Sequence, residues 1–83
     1  MGKTKVDAKD IKSFEIELKD IALSDREEIM NMIFNPDKKK DFSFHLFVIR
    51  KGTDWTDDEI NKYSDAEIYA ISNKILDVMS KKK

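Results

Sequence analysis

A mainly α-helical single domain with a short N-terminal β-strand or hairpin is the fold class this sequence predicts, in the form of a small helical bundle. Three observations predict it. Residues 14–18, Phe-Glu-Ile-Glu-Leu, alternate apolar and charged side chains, the period of a half-buried strand. The stretch WTDDEINKYSDAEIYAI at 55–71 repeats one helix-start signal eight residues apart. Beyond it Ile68, Ile71, Ile75 and Val78 or Met79 recur at helical spacing. With 83 residues the chain suffices for one domain, and domains of this size bury roughly 60% of their unfolded surface.

Taken in order, residues 1–12 carry Lys3, Lys5, Lys9 and Lys12 and offer only Val6, Ala8 and Ile11 for burial. They read as a mobile lysine-rich arm ahead of a domain at 13–80, with 81–83 as a basic tail. The strand at 14–18 needs a partner for its backbone groups. The nearest candidate is Ile21-Ala22-Leu23, across a turn at Lys19-Asp20 that lacks the glycine favoured in two-residue hairpins.

Ser24 and Glu27 form the S-x-x-E pattern of a capping box, in which each side chain satisfies the other residue's backbone amide. The helix they open sets Ile29 with Ile33, and Met30 with Phe34, on a broad apolar face. Asn35-Pro36 ends it, because the residue before proline is pushed out of the α region. Asp37-Lys38-Lys39-Lys40 is then an exposed connection.

DFSFHLFVIRKG at 41–52 supports two readings. Phe42, Phe44, Leu46 and Val48 alternate as in a strand. As a helix, the segment is apolar nearly all round and belongs at the centre of the domain. The ends favour helix: Asp41 is a good N-cap, Arg50 and Lys51 suit the C-terminal dipole, and Gly52 suits a left-handed stop.

Thr56 with Glu59 and Ser64 with Glu67 complete two further capping boxes. The aromatic residues before each cap, Trp55 and Tyr63, pair with Ile60 and Ile68 as hydrophobic staples. Asp57, Asp58 and Asp65 sit in first turns, where the helix dipole favours them. The first of these helices spans about two turns and the second about four. The acidic clusters are therefore helix punctuation rather than a chemical site.

Catalytic chemistry finds little support. There is no cysteine, and His45 is the single histidine, flanked by Phe44 and Leu46 in the manner of a hydrogen-bonded helix residue. An EF-hand starting at Asp54 would need Gly and Glu where the chain has Glu59 and Asp65. Gly2-Lys3-Thr4 lacks the upstream strand and glycine of a P-loop. No cofactor or metal is expected. There is no secretory h-region and no apolar run near the roughly 18 residues of a membrane span, so a cytoplasmic protein is expected. Sixteen Lys plus Arg nearly balance 17 Asp plus Glu, and only Arg26 and Arg50 are arginines, which weakens a nucleic-acid reading.

What remains is apolar bulk. Adaptable methionines at Met30 and Met32, together with Phe34 and Tyr69, suit a surface that grips a partner helix or a second copy of the chain. Trp55 reads either as a partner anchor or as the outer half of the Ile60 staple. The candidate protein-binding residues are thus Met30, Met32, Phe34, Trp55 and Tyr69.

In sequence order, FEIELKDIALSDREEI, FSFHLFVIR and WTDDEINKYSDAEIYAISNKILDV give a strand, a helix opening Arg-Glu-Glu, an apolar segment and a doubly capped helical ending. This layout, over about residues 13–79, resembles the tail assembly chaperones of tailed phages, whose endings follow T-D-E-E-L-x-x-L-x-x-x-E-L-x-x-L-x-x-x-I. The resemblance rests on apolar pattern and capping residues, without an invariant catalytic signature. It implies a non-enzymatic role in tail morphogenesis: holding the long helical tape measure protein soluble while the tail tube assembles. A structural or adaptor protein retained in the particle is the alternative, and a lysine-mediated nucleic-acid binder a further one.

Overall fold

The computed structural model describes residues 2–9, 11–35 and 41–81. Among them the elements run β1 (Gly2–Val6), β2 (Phe14–Leu18), α1 (Leu23–Phe34), α2 (Phe42–Gly52), α3 (Asp57–Ile60) and α4 (Asp65–Lys81). This is the small, mainly α domain with an N-terminal hairpin that the sequence predicts.

The hairpin differs from expectation in its partner. β2 pairs antiparallel with β1, not with 21–23. Within the lysine-rich arm, residues 2–6 are therefore a paired strand rather than a mobile segment. Val6 is fully buried. In register, Lys3 stands opposite Glu17 and Lys5 opposite Glu15, while Thr4 faces Ile16 and Val6 faces Phe14. Opposite charges directly across a ribbon are favourable. One face of the ribbon is thus charged and exposed, and the other delivers Val6, Ile16 and Leu18 to the core. A lone two-stranded ribbon is marginal in water, so this inner face needs the helices beneath it.

α1 begins two residues earlier than a Ser24 cap would start it, at Leu23 rather than Asp25. Ile21 is buried just ahead of it, Ala22 is the N-cap residue, and Arg26 N–H already reaches Ala22 C=O at 2.9 Å. Ser24 consequently lies inside the first turn, and no side chain caps the helix. The neighbouring Asp25 instead meets Lys51 Nζ at 3.6 Å, tying α1 to the end of α2. Asn35 leaves the helix in an extended conformation, φ −91° and ψ 112°, as a residue before proline should. The connection at 37–40 lies outside the described residues, as do Lys82 and Lys83 of the tail.

Residues 42–52 are helical. Asp41 Oδ1 accepts the Phe44 N–H at 3.1 Å, and Arg50 and Lys51 occupy the last turn. Gly52 is not a left-handed stop: it is the last helical residue, and Gly2 alone among the described residues has positive φ. The stop is Thr53, whose N–H and Oγ1 both donate to Ile49 C=O, at 3.0 and 2.8 Å. Gly52 serves packing instead, since a Cβ there would lie 3.0 Å from Ile75 Cδ1 of α4.

Both later capping boxes form. Glu59 N–H donates to Thr56 Oγ1 at 3.3 Å and Thr56 N–H to Glu59 Oε1 at 3.2 Å. Glu67 N–H donates to Ser64 Oγ at 3.2 Å and Ser64 N–H to Glu67 Oε1 at 2.8 Å. α3 has only 4 residues, shorter than the sequence suggests. The core joins the ribbon to Ile29 of α1, Phe44, Val48 and Ile49 of α2, Ile60 of α3, and Ile68, Ile71, Ile75 and Met79 of α4.

Candidate functional site

α1 is the least buried of the longer helices, with Ile29 its single fully buried side chain. Another side of it carries the main exposed apolar surface among the described residues. Leu23 is 78% exposed and Phe34 74%, with Met30 at 37% between them. These positions are separated by seven and four residues, so they lie along one stripe of the helix. Beside the stripe runs a groove of about 270 Å³, bordered by Leu23, Arg26, Glu27 and Met30 and by Met79 and Ser80 near the end of α4. Apolar floor and charged rim are thus both present.

The five residues singled out from the sequence do not form one site. Met30 and Phe34 share the α1 stripe. Met32 lies on another side of the same helix, half-buried against the core, where it borders a shallow depression with Glu28, Asn31 and Asn35. Tyr69 of α4 is 38% exposed but sits edge-on to His45 and Phe42, with ring centroids 4.7 and 5.8 Å away. Trp55 is half-buried and stacks on Tyr63 at 5.1 Å, and Tyr63 in turn stacks on Phe14 at 5.6 Å. The aromatic residues preceding the two helix caps therefore lie against each other and bind the α3–α4 corner to β2. Leu23 is the residue the sequence reading passes over. A helix start at Ser24 puts it in an extended segment, and its spacing to Met30 and Phe34 is the signal that marks it.

Among the described residues, titratable groups add no second centre. His45 is buried, and its Nδ1 lies 2.6 Å from Ser72 Oγ, itself without exposure. That pair has the solvent exclusion of a structural bond, in keeping with the hydrogen-bonded role the sequence suggests. Burial, and then the Glu67 and Glu59 carboxylates, raise the Tyr63 phenol above its ordinary value. Among the described residues no group of three or more His, Cys, Asp or Glu side chains is placed to hold a metal ion. No helix in the described residues is long and apolar enough to cross a membrane. No family model, curated protein or solved structure was found to match the chain.

Proposed function

We propose that this chain is a non-enzymatic chaperone or adaptor that holds an apolar helical segment of a partner protein along the outer stripe of α1. The observation that carries the reading is the exposure of Leu23 and Phe34 in line with Met30. Burying a leucine or phenylalanine side chain is worth roughly 1.5–3 kcal/mol, so a partner helix that covers this stripe gains a substantial apolar term. Arg26 and Glu27 on the groove's rim would set the partner's orientation more than its affinity. The resemblance to phage tail assembly chaperones makes the tape measure protein, met in the cytoplasm of an infected cell, the first partner to test.

The N-terminal lysines favour this reading over nucleic-acid binding. Lys3 and Lys5 face Glu17 and Glu15 across the ribbon, so that face presents no net positive field.

The test is a tagged pull-down at moderate salt from the native source, with Leu23→Ser/Phe34→Ser as the paired control. Both positions are exposed, so the variant should keep its circular dichroism spectrum. One long helix-rich protein, recovered by the wild type and lost by the variant, is the expected result. Recovery of mature particle proteins would promote a retained structural component. Nucleic acid that washes off with salt would promote the electrostatic binder.

A further inference from the structure

The hairpin suggests a second docking surface, independent of the α1 stripe. β2 is one of two strands in its sheet, so its far edge pairs with no strand among the described residues. Its direction can be read from the chain. Lys19, just past β2, turns its N–H away from β1 and donates to Gly52 C=O at 2.9 Å. Successive strand residues direct their backbone groups to opposite sides, so Glu17 and Glu15 share the side of Lys19. Their N–H and C=O groups face the free edge.

Beside that edge lies the larger groove, about 460 Å³, bordered by Glu17, Leu18 and Lys19 and by Asp54 and Trp55. Lys19 Nζ is held by Asp54 Oδ1 at 3.3 Å, which leaves the groove net acidic. Trp55 forms part of its wall and is the half-exposed end of the stack through Tyr63 to Phe14. The groove thus combines a strand edge, an aromatic surface and carboxylates.

We propose that the free edge of β2 accepts a third strand from a partner protein, an extended segment in which Lys or Arg alternates with apolar residues. β1 already shows the chemistry that β2 selects. Its Lys3-Thr4-Lys5-Val6 places cations opposite Glu17 and Glu15 and turns Val6 into the core. A strand on the other side of β2 meets the same two carboxylates, which stand opposite Lys5 and Lys3 but close no ion pair among the described residues, so they can be shared with a second set of cations. Its basic side chains would flank them, while its apolar ones point to the opposite face, toward the Trp55 stack. Charged edges also discourage indiscriminate strand pairing. Here the groove beside the edge supplies the selectivity: Glu17, Asp20 and Asp54 outnumber Lys19 in its lining, so it repels an acidic strand and attracts a basic one. Main-chain bonds would supply affinity and the alternating side chains specificity, as in other cases of strand addition.

Trp55 is the single tryptophan, so its emission reports on this groove alone. The probe is a capped synthetic peptide of alternating Lys and Val, titrated into the full chain, with a Glu-Val counterpart as control. A saturable shift in Trp55 emission is expected, with slowed amide exchange at Glu15 and Glu17. The acidic counterpart should produce neither. Glu15→Gln/Glu17→Gln should keep the fold and weaken binding about 2- to 30-fold, as two lost cross-strand charge pairs imply. The proposal is overturned by an unchanged Trp55 signal at millimolar peptide, by equal binding of the acidic peptide, or by protection that appears on α1 instead of β2.

Discussion

His45 Nδ1 lies 2.6 Å from Ser72 Oγ, a buried bond that joins α2 to α4 at their main contact. Removing one member of a buried hydrogen bond costs about 1–3 kcal/mol, whereas alanine at a helical serine position returns a few tenths. Ser72→Ala should therefore lower stability by about 1–2 kcal/mol and the melting temperature by several degrees. Urea denaturation gives the comparison directly. An unchanged midpoint would mean that the bond contributes nothing net.

Val6 distinguishes a strand from a loose arm. It has no exposure, and it occupies the last register position of β1, opposite Phe14. Val6→Ala removes two methyl groups from the core and should cost about 1.5–3 kcal/mol once the residual cavity is included. In a mobile arm the same change would be silent. Thermal melts of the two proteins decide between them.

The legible and illegible parts of this fold follow from how local their causes are. The capping boxes at Thr56 and Ser64 form because both partners lie within one turn, and no distant contact competes. The helix at 42–52 is legible for the same reason in its Asp41 cap and its Arg50 and Lys51, whereas its stop is not, since Thr53 and not Gly52 ends it. β1 is not legible locally because its cause is its pairing with another strand. Lys-Thr-Lys-Val by itself looks like a polar arm, and only beside Glu-Ile-Glu does its alternation become a complementary ribbon. Ser24 failed as a cap because buried Ile21 and the Ala22 carbonyl started the helix first. The α1 stripe was half legible. Met30 and Phe34 stood out by residue type, but which of the other apolar residues the core would claim depended on tertiary packing.

The contrast between two serines tests the capping argument. Ser64 accepts the Glu67 N–H and completes a box, while Ser24 caps nothing. Ser64→Ala should cost about 0.5–2 kcal/mol, and Ser24→Ala should stay within about 0.5 kcal/mol of wild type. Equal losses at both positions in chemical denaturation would contradict the observed start of α1.

Tyr63 gives stability an alkaline limb. Its phenol is raised above 10.0 by burial, with the Glu67 and Glu59 charges acting in the same direction. As pH rises past that ordinary value, the unfolded chain releases the proton first, so the folded state holds more protons. Stability is then fully present below pH 10 and falls above it. Tyr63→Phe removes this proton linkage and should flatten the alkaline decline relative to wild type. Denaturation midpoints across that range, followed for both proteins, should diverge in slope; parallel curves would remove the linkage.

Gly52 and Ile75 supply the most direct test of how α2 meets α4. A Cβ at Gly52 would stand 3.0 Å from Ile75 Cδ1, 3.1 Å from its Cγ2 and 3.4 Å from its Cγ1. Alanine gains roughly 1 kcal/mol over glycine in a helix, while overpacking a well-filled core costs about 1–3 kcal/mol. Ile75 is 2% exposed and stiff at χ1, so it yields little, and the packing cost should win. Gly52→Ala is therefore expected to destabilise by about 1 kcal/mol net. Ile75→Val removes the closest atom at its own cost of about 0.5–1.5 kcal/mol. Because it also makes room for the new methyl group, the double variant should lose less than the sum of the two single losses. A coupling of at least about 0.5 kcal/mol in the cycle is the expected reading. Strict additivity would show that α2 and α4 adjust around the new methyl group without involving Ile75, and that Gly52 is not held by this close approach.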